Sequence, residues 1–97
     1  MSRITSLSQY EAEYKESISN PEKYWNSKAE QFEWDTIWKK TLEWNFDEPK
    51  VEWFQGGKLN ITVNCLDRHV SKHPDKTAFI WEPNEPDATH KKISYKE

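Results

Sequence analysis

The stretch that decides the fold lies at the centre of the chain, where residues 53–69 read WFQGGKLNITVNCLDRH. Gly56 and Gly57 are the only glycines of the sequence, and they stand side by side. Because glycine tolerates positive φ and close backbone approach, the pair predicts a turn whose shape other residues resist. The pair is not typical of a phosphate loop, since Lys58 is followed by Leu59 rather than by serine or threonine.

Directly after the turn, the sequence predicts a helix that begins with Asn60 as its cap and runs to about His73. Pro74 ends this helix, because the residue before a proline is pushed out of helical geometry. We expect its inner face to consist of five residues at helical spacing: Ile61, Cys65, Leu66, His69 and Val70.

Upstream, a first helix is indicated by apolar residues that recur at spacings of three and four: Leu7, Tyr10, Tyr14 and Ile18. Two capping boxes compete for its beginning, Ser8 with Glu11 and Ser6 with Gln9. We expect the helix to stop by Ser19.

A second helix is expected to start at Asn20-Pro21, with asparagine as the N-cap and proline at the first helical position. Trp25, Ala29 and Phe32 form its apolar stripe. We expect the two helices to pack on each other through their apolar and aromatic faces.

The rest of the chain is predicted to be extended. Residues 42–47 alternate between apolar and polar, and 51–54 form a second extended piece. Residues 77–81 and 92–95 read as a β-hairpin with a long loop rich in turn formers. Two strands alone are marginal in water, so we expect this hairpin to belong to a larger sheet. The predicted fold class is α+β, with three short helices, an aromatic-rich middle and a C-terminal hairpin.

Composition limits the classes of function. The chain has 97 residues and a formal net charge of -3, and it contains six Trp, four Tyr and four Phe. A small core dominated by aromatic side chains is expected. A nucleic-acid interface would need a clustered basic face, and no such cluster occurs in the sequence. The chain shows no signal peptide or membrane span, and its one cysteine has no partner for an internal disulfide, so we expect a cytoplasmic location.

Several residues invite a functional interpretation. His69 and His73 have a metal-capable spacing, but a helix-end role for histidine requires no metal and is favoured. Asp67, Arg68 and His69 are adjacent in sequence and therefore face different sides of a helix. Cys65 is expected to be a buried, inert thiol. The tryptophans favour packing over a binding surface. We predict no catalytic, cofactor-binding or metal-binding residue in this chain.

Several stretches resemble the N-terminal segment of AMP-forming acetyl-CoA synthetases. They are Glu13–Ser17, Pro21–Trp25, Leu42–Trp44 and the central block of residues 53–69. The end of that block, Asn64–His69, is more similar to acetyl- and propionyl-CoA synthetases than to acetoacetyl-CoA synthetase. Further on, Lys76–Glu82, Glu85-Pro86 and Ile93–Tyr95 resemble the opening of the AMP-binding domain of the family.

The resemblance implies a cap over residues 1–76 and the first strands of the AMP-binding domain over 77–97. The implied parent enzyme forms an acyl-adenylate from a short carboxylate and Mg-ATP, and then transfers the acyl group to CoA. ATP, Mg and CoA would belong to that parent. The phosphate loop, acyl-pocket tryptophan, hinge residue and C-terminal lysine of the family have no counterpart in this chain.

We therefore expect a non-catalytic fragment of a larger adenylate-forming enzyme, cut shortly after its AMP-binding domain begins. Its expected partner is the downstream AMP-binding domain of the same polypeptide, and self-association of the fragment is a second expectation. The alternative is a free-standing, tryptophan-rich module that binds a peptide or a protein.

Overall fold

A computed structural model describes residues 3–97, which divide between two compact units that meet in sequence at Leu59 and Asn60. The first unit contains α1 (Leu7–Ser19), α2 (Pro21–Ala29), β1 (Lys40–Asn45) and β2 (Lys50–Gln55). The second contains a π-helical turn (Val63–Asp67), α3 (Arg68–Val70), β3 (Thr77–Trp81) and β4 (Lys91–Ser94). The predicted α+β class is confirmed. The expected family boundary between 1–76 and 77–97 stays a prediction.

Helix α1 begins with the second of the two competing caps. The Ser6 hydroxyl accepts a hydrogen bond from the Gln9 amide at 3.2 Å, and Gln9 Oε1 accepts one from the Thr5 amide at 2.9 Å. Each side chain therefore satisfies a backbone N–H that the helix leaves unpaired. The helix ends at Ser19, as predicted.

Helix α2 starts at Pro21, where the missing N–H costs no hydrogen bond. Asn20 occupies the N-cap position, but its side chain makes no capping bond. Its Nδ2 instead donates to both carboxylate oxygens of Glu16, at 3.2 Å each. The helix ends at Ala29, so Phe32 lies beyond the stripe to which it was assigned.

The two helices meet through only part of the faces we expected. Leu7 and Ile18 of α1 are exposed. Polar contacts join the helices, since Glu13 Oε2 accepts hydrogen bonds from the Tyr24 hydroxyl at 3.2 Å and from Lys28 Nζ at 3.0 Å. Beside these bonds, Tyr10 and Tyr14 of α1 line a cleft together with Tyr24 and Trp25 of α2. The expected packing was therefore wrong for Ile18, which is exposed, and for Phe32, which lies beyond α2.

Strands β1 and β2 form an antiparallel hairpin in which Leu42 lies opposite Trp53 and Trp44 lies opposite Val51. The glycine turn follows β2 directly. Gly56 has a φ of 72°, and a Cβ on Gly57 would lie 2.7 Å from Cζ3 of Trp34. The prediction of a turn that only glycine fits is confirmed, with a different reason at each position.

The third helical segment begins as expected but is wound differently. The side-chain oxygen of Asn60 accepts a hydrogen bond from the Thr62 amide at 2.9 Å. Five residues then adopt π-helical geometry before α3. Because a π turn holds more residues than an α turn, the inward positions shift along the sequence. Asn64 is buried, whereas Ile61 and Cys65 are exposed, so the predicted inner face was wrong at both positions.

Strands β3 and β4 form the predicted C-terminal hairpin. Phe79 lies opposite Ile93 and Trp81 lies opposite Lys91, with an irregularity in register after Thr77. Strand β4 ends at Ser94, so Tyr95, the last residue of the predicted strand, lies just outside the observed one. Within residues 3–97, each of the two sheets consists of two strands.

Candidate functional surface

The packing centre of the first unit is a cluster of aromatic rings. The ring centroids of Trp34, Trp38 and Phe54 lie 4.8 to 5.7 Å apart, and Trp53 lies 5.9 Å from Phe54. These separations are typical of favourable tilted and edge-on aromatic pairs. Ala29 is the one buried apolar residue among residues 3–97, so this cluster takes the place of an aliphatic core.

Hydrogen bonds orient the indole rings of the cluster. Trp34 Nε1 donates to the Ala29 carbonyl at 2.8 Å. Trp38 Nε1 donates to the Thr41 hydroxyl at 2.9 Å, and this hydroxyl donates to Asn26 Oδ1 at 2.7 Å. Thr41 is buried, with 5% of its surface exposed. The chain of bonds therefore ties β1 to α2 where an unpaired polar group would be costly.

Phe54 adopts a backbone conformation that its side chain disfavours. Its φ is 49°, in the left-handed region where a bulky residue is an outlier. Such strain costs on the order of 1–3 kcal/mol and persists where the surroundings enforce it. The Phe54 ring contacts Trp34, Trp38 and Trp53, and its carbonyl accepts a hydrogen bond from the Gly57 amide at 3.0 Å. No signal in the sequence pointed to this strain.

Two glutamates lie opposite each other on the β1–β2 hairpin, a pairing of like charges that destabilises a sheet. Gln55 Nε2 donates to Glu43 Oε2 at 2.9 Å and also contacts the carboxylate of Glu52. Lys50 Nζ lies 3.7 Å from Glu52 Oε1. These contacts offset the repulsion, and they give the pair a structural role.

The other side of this hairpin carries an apolar surface, which we call the aromatic hairpin face. It consists of Leu42, Trp44, Phe46, Val51 and Trp53. Trp44 is 57% exposed, Phe46 72%, Val51 52% and Trp53 44%, whereas Leu42 is half-buried. The alternation of residues 42–47 predicted a half-buried strand, and the strand exposes its apolar side.

The sequence-derived site candidates lie on the third helical segment or directly after it. The His69 ring packs against Tyr95 with centroids 5.4 Å apart, and the His73 amide donates to the His69 carbonyl at 2.8 Å. Cys65 is exposed, which corrects the expectation of a buried thiol. Across residues 3–97, no group of three or more His, Cys, Asp or Glu could hold a metal ion.

The contact between Glu13 and Lys28 shifts the pKa of both side chains. The hydrogen bond from Lys28 lowers the pKa of the Glu13 carboxyl, and the same bond raises the pKa of the Lys28 ammonium. The Lys28 ammonium also lies 5.1 Å from the centre of the Tyr24 ring. Each charge stabilises the other, so this contact links α1 to α2 rather than preparing a proton for transfer.

Comparison with known proteins gives the family. The profile described as "Acetyl-coenzyme A synthetase N-terminus" matches residues 10–65. The chain belongs to this family. The matched range contains the aromatic cluster, the glycine turn and the whole aromatic hairpin face, so these features lie within the family segment.

Individual acetyl-coenzyme A synthetases agree with this assignment. The chain is 51% identical over 83 residues to the acetyl-coenzyme A synthetase of Leptospira biflexa, which covers 84% of this chain and 13% of that protein. It is 42% identical over 89 residues to that of Bdellovibrio bacteriovorus, with 91% of this chain and 14% of the relative covered. For Chlorobaculum tepidum the identity is 48% over 85 residues, covering 87% and 13%. The chain thus spans about one seventh of these relatives.

Among the helices of residues 3–97, none is long and apolar enough to cross a membrane. In this acetyl-coenzyme A synthetase N-terminal segment, most large apolar side chains are exposed on short elements. The aromatic hairpin face combines two tryptophans and a phenylalanine and is our candidate functional surface.

Proposed function

We propose that this chain is the non-catalytic N-terminal part of an AMP-forming acetate–CoA ligase, and that it supports the nucleotide-binding domain of that enzyme. The observation that carries the proposal is the family match over residues 10–65, together with relatives of which the chain covers 13–14%. The proposed parent reaction converts acetate, ATP and CoA to acetyl-CoA, AMP and diphosphate through acetyl-adenylate.

The burial of the chain supports a dependent role. Ala29 is the buried apolar residue of the described chain, while eighteen large apolar residues are exposed. The burial of apolar surface is the main favourable contribution to folding, and a domain of this size buries little of it. Its free energy of unfolding is therefore small. Covering these side chains with a neighbouring domain would add the apolar burial that the segment lacks.

The chemistry of the parent enzyme belongs to residues outside this segment. ATP, Mg and CoA are proposed as its cofactors, and none is assigned to a residue of this chain. Asp67, Arg68, His69 and His73 receive structural roles. A cytoplasmic location is proposed from the composition and the single cysteine.

The proposal can be tested with a chimera of the Leptospira biflexa acetyl-coenzyme A synthetase in which this chain replaces the matching N-terminal segment. We expect the chimera to form AMP from acetate, Mg-ATP and CoA. This chain alone should form no AMP above the blank, and a form of the relative without the segment should lose stability. AMP formation by the purified 97-residue chain, or an inactive chimera, would contradict the proposal.

The alternative function is a free-standing module that binds a peptide or protein through exposed tryptophans. Trp25, Trp44, Trp53 and Trp81 are all exposed, which keeps this candidate open to test. This alternative requires that the isolated chain be stably folded and that its presence in the chimera add no stability. A chimera no more stable than the relative without its N-terminal segment would favour the module.

A further inference from the structure

In the β1–β2 hairpin, the side that carries polar residues is covered and the apolar side is exposed, which is the reverse of the usual arrangement. The side that carries Thr41, Glu43 and Glu52 is buried or half-buried, together with Phe54. The side that carries Trp44 and the other residues of the aromatic hairpin face is mostly exposed. An antiparallel sheet with one covered side ordinarily buries its apolar side. Within residues 3–97, the aromatic side is therefore left mostly uncovered.

The aromatic hairpin face is held in place from behind. Thr41 is bonded to Asn26 and Trp38, and the Phe54 ring sits among the tryptophans of the cluster. Gln55 bridges the carboxylates of the two strands. A surface whose backbone is already fixed loses little conformational entropy on binding. The face is thus preorganised for a partner.

The residue types on this face are those that dominate protein–protein contacts. Tryptophan is enriched at the positions that contribute most binding energy. Trp44 and Phe46 pack with centroids 4.9 Å apart, and Val51 lies across the hairpin from Trp44. Neighbouring rings of this kind form one continuous anchor rather than scattered contacts.

The size of the face selects among possible occupants. From the exposed fractions of its side chains, the area it offers is on the order of 500 Å². A stable interface between separate molecules buries about 800 Å² on each partner. A second copy would therefore find too little area here. A domain tethered to the same polypeptide needs less, because its effective concentration is roughly millimolar.

We propose that the aromatic hairpin face is the surface through which this segment docks on the larger, AMP-binding part of its own polypeptide. This inference rests on the proposed function, and it names the docking surface. The length of the relatives supports the occupant, since the segment that the chain matches is 13% of the Leptospira biflexa protein. The exposed stripe of α1, with Leu7 and Ile18, serves as the comparison surface.

Hydroxyl-radical footprinting of the isolated chain and of the active chimera tests the inference. We expect labelling of Trp44, Phe46 and Trp53 to fall severalfold in the chimera, and labelling of Leu7 and Ile18 to change less. A chimera that makes AMP but leaves the aromatic hairpin face fully labelled would overturn the docking surface while leaving the proposed function intact. A chimera that makes no AMP and protects neither surface would overturn both.

Two further measurements make the test independent of any one variant. Trp44→Ser should lower the melting temperature of the chimera by more than it lowers that of the isolated chain, whereas the exposure-matched control Ile18→Ser should lower both equally. Footprinting the isolated chain at rising concentration tests the other occupant. Concentration-dependent protection of Trp44 and Trp53 would assign the face to a second copy of the chain and overturn the inference.

Discussion

The two hairpins of this chain have the same topology and different support. In β1–β2, one side is fixed by the aromatic cluster and by the hydrogen bonds of the buried Thr41. In β3–β4, Phe79, Ile80 and Trp81 are all exposed, although they point alternately to opposite sides of the strand. Strand pairing alone is marginal, and packing on at least one side gives a hairpin independent stability. The contrast predicts that β1–β2 is well ordered and β3–β4 is not.

The largest expected effect is at the glycine turn that follows β2. In Gly57→Ala, the new Cβ would lie 2.7 Å from Trp34 and 3.0 Å from the Phe54 carbonyl, so the aromatic cluster must shift. Overpacking of this kind costs about 1–3 kcal/mol. Urea unfolding followed by tryptophan fluorescence measures the loss. Unchanged unfolding would show that the cluster does not support β1–β2 as described.

Gly56→Ala is the matched control at the neighbouring position. A Cβ there meets nothing within 4 Å, but the φ of 72° is strained for alanine. The expected cost is therefore on the order of 1 kcal/mol, from backbone strain alone. If Gly56→Ala and Gly57→Ala both unfold at the same urea concentration as wild type, the prediction that this turn requires glycine is wrong.

Thr41→Val tests the polar support of the first hairpin. The substitution keeps the shape and removes the hydroxyl that bonds both Trp38 and Asn26, which keep only their direct bond of 3.2 Å to each other. We expect a loss of about 1 kcal/mol. The same substitution at the exposed Thr77 of β3 should change stability by less than about 0.5 kcal/mol. Equal losses at both positions would remove the distinction between the two hairpins.

Amide hydrogen exchange compares the hairpins directly. At low protein concentration, we expect residues 79–81 to exchange faster than residues 51–55 and faster than the helical residues 63–70, because few contacts protect them. An unpaired apolar strand edge also invites pairing with another chain. Slow exchange at 79–81 that appears only with self-association is consistent with this view. Slow exchange in a proven monomer would contradict it and would favour an autonomous module.

The smallest effect is expected from the Glu13–Lys28 pair, which lies outside both hairpins. Because the folded state lowers the pKa of Glu13, its contribution to stability is present above the unfolded pKa and is lost as pH falls through the folded pKa. Because the folded state raises the pKa of Lys28, its contribution is present below the unfolded pKa and is lost as pH rises through the folded value. Stability from this pair should therefore be flat near neutral pH.

Urea midpoints measured across pH for wild type and Glu13→Gln check this expectation. The variant should lose the acid-side decrease that belongs to Glu13, and the control Glu11→Gln should keep it, since Glu11 is exposed. A variant profile identical to wild type would show that the pair does not link α1 to α2 in solution.

Local chemistry in the sequence predicted much of the architecture. The spacing of Leu7, Tyr10, Tyr14 and Ile18 predicted α1, and Asn20-Pro21 predicted where α2 begins. Gly56-Gly57 predicted the turn, and residues 77–95 predicted the second hairpin. These features depend on neighbours within a few residues. The family followed from the same residues, because motif order is a property of the sequence itself.

Only the tertiary structure decided which sides are covered. The sequence pattern placed Ile61 and Cys65 inward, but a π turn shifted burial to Asn64. The alternation of residues in β1 assigned each residue to one of two sides of the strand, but it did not show that the side with Thr41 would be covered. That choice depends on the bond from Thr41 to Asn26 and on the packing of Phe54 against Trp38, and both contacts form only after the chain has folded back. Burial is a property of contacts between distant residues, so local periodicity identifies the faces of an element and tertiary contacts select the face that is buried.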